Sequence, residues 1–141
     1  MRPNLDVYYL RLAHLAASRA GCPKRSVGCV ITDHQNRIIA TGYNSPPRDL
    51  PTCFEVPCGG TDPEGEGVCV SAHAEISALI SCRDIQSAKT IYISCSPCVS
   101  CMQAIMCTPI ERIVFSEYHK TWGQSRKIWT GKTTFIDKEE L

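Results

Sequence analysis

The sequence predicts an α/β sandwich around one sheet. Five short apolar runs read as strands, helical spacing fills the intervals between them, and the length suits one core. At 141 residues, with 43% hydrophobic and 21% charged side chains, the chain reads as a single domain, 1–141, of ordinary globular composition.

The elements follow in order. Asn4 is placed to cap a first helix, with Asp6 in its first turn. Leu5, Tyr8, Tyr9, Leu12, Leu15 and Ala16 then recur at helical spacing until Gly21. Val27–Thr32 and Arg37–Tyr43 are apolar, β-branched runs, and Asp33-His34-Gln35-Asn36 between them reads as a hairpin turn. Residues 44–71 are rich in proline, glycine and polar side chains, the composition of a long irregular loop, and such loops usually carry function or an internal clip. From His73 the pattern becomes a helix to about Arg83, a strand at Thr90–Ser94, a helix at Cys98–Cys107 and a strand at Arg112–Phe115. The tail reads as a short helix near Gln124–Trp129 and a last strand at Thr133–Asp137. There is no internal repeat or low-complexity segment.

Charge and composition exclude several classes. A formal net charge of +1 argues against a protein that wraps long nucleic acids, so no nucleic-acid partner is expected. It leaves room for a small anionic ligand, which needs only two or three well-placed cations. Met1–Leu10 carries Asn4 and Asp6 and reads as no signal peptide, and no run of apolar residues is long enough to predict a membrane span. A cytoplasmic setting is expected, and there the ten cysteines read as metal ligands and small buried apolar residues rather than disulfides.

Two segments carry the chemistry: His73-Ala74-Glu75 and Pro97-Cys98-Val99-Ser100-Cys101. Cys98 and Cys101 are three apart, so on the first turn of a helix their sulfurs share a face. A helix N-terminus favours negative charge and helps both thiols ionise. His73 can supply a third, neutral ligand, and three protein ligands leave zinc an open position for water, as in a catalytic site. Glu75 need not bind metal and can serve that water as a proton carrier. Alone, a Cys-x-x-Cys also suits a redox pair or two buried thiols, and a lone histidine at a helix start suits a cap. Together they form the His-x-Glu…Pro-Cys-x-x-Cys signature of zinc deaminases.

The resemblance narrows through Cys22-Pro-Lys-Arg-Ser-Val-Gly-Cys-Val-Ile31 and Asn36-Arg-Ile-Ile-Ala-Thr-Gly-Tyr-Asn-Ser-Pro-Pro47. With the cysteine-bearing insertion before His73 and Tyr118-His119 after a strand, residues 5–120 resemble the deoxycytidylate (dCMP) deaminase family. That resemblance implies a three-layer α/β/α, cytidine deaminase-like fold with a five-stranded mixed sheet. It implies hydrolysis of dCMP to dUMP and ammonia, with zinc activating a water toward C4 of cytosine and Glu75 moving the protons. It further implies that Asn44 contacts the sugar and that Tyr118 helps close the pocket. Gly42, Tyr43, Asn44 and Arg48 would meet the effectors, dCTP activating and dTTP inhibiting, with Mg2+ on the triphosphate and the chain in a homo-oligomer, commonly a hexamer. One position departs from the family pattern: Ser77 stands where His-Ala-Glu-x-Asn-Ala is usual.

The other cysteines divide. Cys22, Cys53, Cys58 and Cys69 flank or occupy the long loop, where family members often hold a second, structural zinc; buried thiols are the alternative. Cys29, Cys82, Cys95 and Cys107 read as core. His14 and His34 read as having no functional role. Among Lys24, Arg25, Arg48, Lys120 and Arg126, the residues Arg25 and Arg48 flank the nucleotide-like segments and are the first candidates for a phosphate. Two other functions stay open. One is a deaminase of another cytosine or adenine substrate, a free nucleoside, tRNA or single-stranded DNA; acting on tRNA or DNA should bring a more basic surface and a shorter loop before His73. The other is a non-catalytic zinc module, which would have no use for Glu75.

Overall fold

A computed structural model describes residues 1–57 and 69–141. Helix α1 (Leu5–Ala17) is followed by strands β1 (Gly28–Asp33) and β2 (Ile38–Tyr43), then α2 (Ala74–Ser81) and β3 (Ala88–Ile93). Helix α3 (Val99–Met106), β4 (Arg112–Phe115), α4 (Trp122–Ile128) and β5 (Lys132–Phe135) complete the order. The five strands form one sheet in the order β2-β1-β3-β4-β5. β1 pairs antiparallel with β2 and β3, whereas β3–β4 and β4–β5 are parallel, so the sheet is mixed.

Side-chain alternation splits the strands between two cores. Cys29, Ile31, Ile91, Ile93, Ile113 and Phe115 face one side, against Ala74 and Ala78 of α2 and Met102 and Ile105 of α3, with Trp122 of α4 packed on the same cluster. Val30, Tyr92 and Val114 face the other, against Tyr9, Leu10 and Ala13 of α1. Covering both faces explains why these strands read as nearly continuous apolar runs. The arrangement is the expected three-layer sandwich.

Two neighbouring glycines let helices approach the sheet from opposite sides. A Cβ on Gly28 would lie 2.1 Å from the carbonyl oxygen of Ala13 in α1, and one on Gly42 would lie 2.4 Å from that of Ala74 in α2. Gly42 pairs with Cys29 and Gly28 with Tyr43 in the β1–β2 ladder, so the two close approaches sit side by side.

Local signals hold as expected at the first helix and the hairpin. The Asn4 side chain accepts from the Val7 N–H at 2.9 Å. Asp33 Oδ1 accepts from the N–H groups of Gln35 and Arg37, both at 2.9 Å, and Asn36 takes φ 60°, a left-handed conformation that asparagine tolerates. Helix α4 begins two residues before the expected start, because Trp122 is drawn in by Phe115, with ring centroids 4.9 Å apart. β5 spans Lys132–Phe135 instead of Thr133–Asp137, since its register is set by β4, Arg112 opposite Lys132 and Phe115 opposite Phe135. Asp137 instead caps the turn that follows, accepting from the Glu139 N–H at 2.9 Å.

The long loop has a closed base. Ser45 and Ala72 form an isolated antiparallel bridge, their N–H and C=O groups exchanging bonds of 3.2 and 2.9 Å. Cys53 returns to the end of the first helical segment, its N–H donating to the Gly21 carbonyl at 2.9 Å.

Candidate active site

The site gathers where β3 and β4 end and where α2 and α3 begin. In a parallel pair the crevice beyond the carboxyl ends of the strands is the usual place for a ligand. β3 runs out through Ser94-Cys95-Ser96-Pro97 to Cys98, the N-cap residue of α3. The loop closed by Ser45 and Ala72 delivers His73, the N-cap residue of α2. Neither His73 nor Cys98 uses its side chain to cap its helix. Both side chains are spent elsewhere.

They meet each other and Cys101. His73 Nδ1 lies 3.2 Å from Cys101 Sγ and 3.5 Å from Cys98 Sγ. The three ligating atoms all fall within 4.8 Å of one another, forming a cluster that could hold a metal ion. A tetrahedral zinc at its usual bond lengths of about 2.0–2.3 Å separates neighbouring ligands by about 3.3–3.8 Å, close to the two separations from His73. The donor set agrees. Burial, reinforced by Glu75 and the neighbouring Cys98, pushes the Cys101 thiol far above its ordinary value, and a dication is what allows such a thiol to ionise.

Glu75 lies in the first turn of α2 with 4% of its surface exposed. Burial raises its carboxyl above the usual range, against lowering by a backbone N–H, a bond with Cys101 and the charges of His73 and Arg25. A cleft opens onto it. Arg25, Asn44, Ser71, His73, Glu75, Cys95, Ser96, Cys98 and His119 line this cleft, with Cys22, Val27, Cys69 and Ala74.

The other candidate residues are distributed unevenly. Arg25 lines the cleft, its guanidinium 3.7 Å from Cys95 Sγ. Asn44 lines it too, but its amide also clamps the segment before β1: Oδ1 accepts from Val27 N–H at 2.8 Å and Nδ2 donates to the Arg25 carbonyl at 3.0 Å. Gly42 is taken up in packing α2, and Tyr43 faces the α1 side among Leu12, Leu15 and Ala16. Arg48 is exposed in the loop after β2. Tyr118 stacks on Phe135, centroids 4.6 Å apart, and it is the next residue, His119, that lines the cleft. Cys22 and Cys53 are buried, and Cys69 is exposed and lines the cleft. Cys58 lies outside the described residues. Among those described, His73, Cys98 and Cys101 form the only such cluster of three ligating side chains. Ser77 is half-buried in α2, one residue before the buried Ala78.

Sequence reasoning passed over Ser71, Cys95, Ser96 and His119 as cleft residues. His119 is drawn in by a bond of 2.7 Å from its N–H to Ser96 Oγ, and Ser96 N–H donates to the Glu117 carbonyl at 2.8 Å. Their position just beyond two parallel strands was the available signal.

Residues 3–117 match the family model described as the cytidine and deoxycytidylate deaminase zinc-binding region. The chain belongs to that family. Among family proteins, the deoxycytidylate deaminase of Saccharomyces cerevisiae is 41% identical over 133 residues, which is 91% of this chain and 42% of the yeast protein. That of Schizosaccharomyces pombe is 35% identical over 39% of its length, so the chain spans about two fifths of the fungal relatives. The deoxycytidylate deaminase of Mycobacterium phage D29 is 35% identical over 81% of this chain and 95% of its own. The dCMP deaminase of cyanophage S-TIM5, solved with dCMP and dUMP, superposes with a TM-score of 0.77 at 20% identity, covering 96% of this chain and 99% of that one. This last likeness establishes the deaminase fold, and the family brings zinc to the His/Cys/Cys cluster.

Proposed function

We propose that residues 1–141 act as one dCMP deaminase domain. The reading rests above all on one arrangement: a buried carboxylate, Glu75, beside a His73/Cys98/Cys101 cluster at the floor of a cleft. Similarity to relatives named deoxycytidylate deaminase, among them a phage protein of comparable length, favours the nucleotide over other substrates.

His73, Cys98 and Cys101 hold the metal. Zinc there supplies a Lewis acid that makes water a competent nucleophile near neutral pH. Glu75 takes one proton from the water as its oxygen bonds to C4 of the cytosine ring and delivers it to N3; it then takes the proton of the new C4 hydroxyl and passes it to the amine, which leaves as ammonia as the C4 carbonyl forms. Its desolvated position keeps the carboxyl nearer the working pH than an exposed one, which suits both giving and taking a proton. Asn44 faces the sugar with the amide hydrogen that Arg25 leaves unused, and Tyr118 flanks the mouth through its neighbour His119.

Finer features follow from resemblance. Cys22, Cys53, Cys58 and Cys69 bind a second, structural zinc. The bond from Cys53 N–H to the Gly21 carbonyl supports this by bringing Cys53 back beside Cys22. dCTP activates and dTTP inhibits, each with Mg2+, near Gly42, Tyr43, Asn44 and Arg48, in a homo-oligomer for which a hexamer is favoured. A cytoplasmic setting belongs to the same reading. Among the described residues no helix is long and apolar enough to cross a membrane.

A substrate panel tests the assignment. Zinc-replete protein is incubated with cytidine, deoxycytidine, dCMP, dCTP, a tRNA and a short cytosine-bearing DNA, and ammonia release is recorded. Release from dCMP well above all others is expected; preference for a polynucleotide overturns the reading.

A further inference from the structure

Resting on the dCMP reading, we propose that His119 is a specificity residue, donating from Nε2 to the 5′-phosphate of the bound nucleotide beside Arg25. Two observations lead there. His119 and Arg25 both line the cleft that holds the metal cluster, and neither belongs to that cluster. The ring of His119 is also fixed in one tautomer. Its Nδ1 accepts from the Thr121 N–H at 3.0 Å and lies 2.7 Å from Thr121 Oγ1. A nitrogen that accepts a backbone N–H carries no proton of its own, so in the neutral ring the proton sits on Nε2. Nε2 has no partner among the described residues, which leaves one oriented N–H donor at the cleft wall.

The backbone holds this donor in place. His119 N–H is tied to Ser96 Oγ at 2.7 Å, so the segment after β4 is fastened to the segment after β3. Ser71 Oγ, also at the cleft, is a buried hydroxyl with no partner among the described residues. Two polar groups with unused hydrogen-bonding capacity in one cleft mark a surface built for a polar ligand. Arg25 brings positive charge, and a guanidinium beside a neutral N–H donor suits a phosphate monoester. Neither belongs to the His73, Cys98 and Cys101 cluster, so their contribution falls on binding and selection.

Calorimetric titration with dUMP and with deoxyuridine reads this directly, because the two ligands differ only in the phosphate. Wild-type protein should bind dUMP the more tightly. His119→Ala should lower that preference about 10–100-fold, the scale of one hydrogen bond to a charged group. His119→Gln, whose amide N–H reaches the place of Nε2, should restore part of it, and His119→Asn, which mimics Nδ1, should not. The KM for dCMP should rise in step in His119→Ala, with kcat changed less than threefold. A preference within threefold of wild type in His119→Ala, or equal weakening of both ligands, overturns the proposal and leaves the dCMP assignment standing. Absence of any preference in the wild-type protein overturns both.

Discussion

Gly42 lies directly beneath the carbonyl of Ala74, the residue between His73 and Glu75, so close that a methyl group on Gly42 would come within 2.4 Å of that oxygen. The second strand therefore sets the height of helix α2 above the sheet. The same added carbon would meet the Ala78 nitrogen at 2.8 Å, so the helix cannot yield at one end only.

Gly42→Ala should cost about 1–3 kcal/mol, the scale of overpacking a tight interior, and should lower turnover by displacing His73 and Glu75 together. Chemical denaturation and kinetics check it. A variant of wild-type stability with an altered dCTP response would show that Gly42 serves the effector and not the packing.

Glu75→Gln removes the proposed proton carrier while keeping shape. Zinc content and melting temperature should stay near wild type while kcat falls about 10²–10⁴-fold. Retention of more than a tenth of the activity would assign the proton transfers elsewhere.

Metal content separates the cysteines. Elemental measurement should give about two zinc per chain. Cys98→Ser should abolish activity and remove one metal. Cys53→Ser should remove the other and lower thermal stability. One zinc per chain, unmoved by Cys53→Ser, would return Cys22, Cys53, Cys58 and Cys69 to the role of ordinary thiols.

An ion pair far from the cleft gives a pH dependence. Arg112 of β4 donates to both carboxylate oxygens of Asp6 in α1, at 2.8 and 2.6 Å, and Tyr92 Oη adds a bond at 3.1 Å. The hydrogen bond from Arg112, opposed by burial and helped by its charge and by Tyr92, holds the Asp6 carboxyl below its ordinary value. A carboxyl lowered on folding contributes stability that is complete above its unfolded-state pKa and is lost as pH falls through the folded one. Asp6→Asn should therefore cost about 1–2 kcal/mol at pH 7, and the gap from wild type should close as pH falls through the lowered folded-state value. A gap independent of pH would sink this account.

Regulation is the prediction furthest from the described geometry. A sigmoidal dCMP curve should become hyperbolic with dCTP and shift to higher substrate with dTTP, by about 5–150-fold in apparent affinity. Opposite effects require each nucleotide to favour a different state. Arg48→Ala should weaken both. Curves that stay hyperbolic and unmoved by millimolar effector would remove the regulatory claim alone.

What the sequence disclosed depended on the range of the interaction. The Asn4 cap, the Asp33–Asn36 turn and the one-face placement of Cys98 and Cys101 are decided within four residues, and each was legible. The start of α4 was not, because Trp122 answers to Phe115 on another element. His14 had no readable role either. Its Nε2 is 2.7 Å from Ser116 Oγ, which donates to the Ser94 carbonyl at 3.0 Å, so α1 is pinned to the strand ends under the cleft. Asn44 was legible as a cleft residue through resemblance, while its grip on Val27 and Arg25 is a tertiary fact no local pattern records.

The Ser45–Ala72 bridge gives the intervening chain a fixed neck one residue short of His73. Lengthening a segment tied at its neck adds only about 0.6 kcal/mol of closure entropy per doubling. Cys69 and Ser71, beside that neck, reach the cleft while His73 keeps its place at the start of α2. Recognition can therefore change through those two residues, across a lineage or at an engineer's hand, without moving the cluster of His73, Cys98 and Cys101.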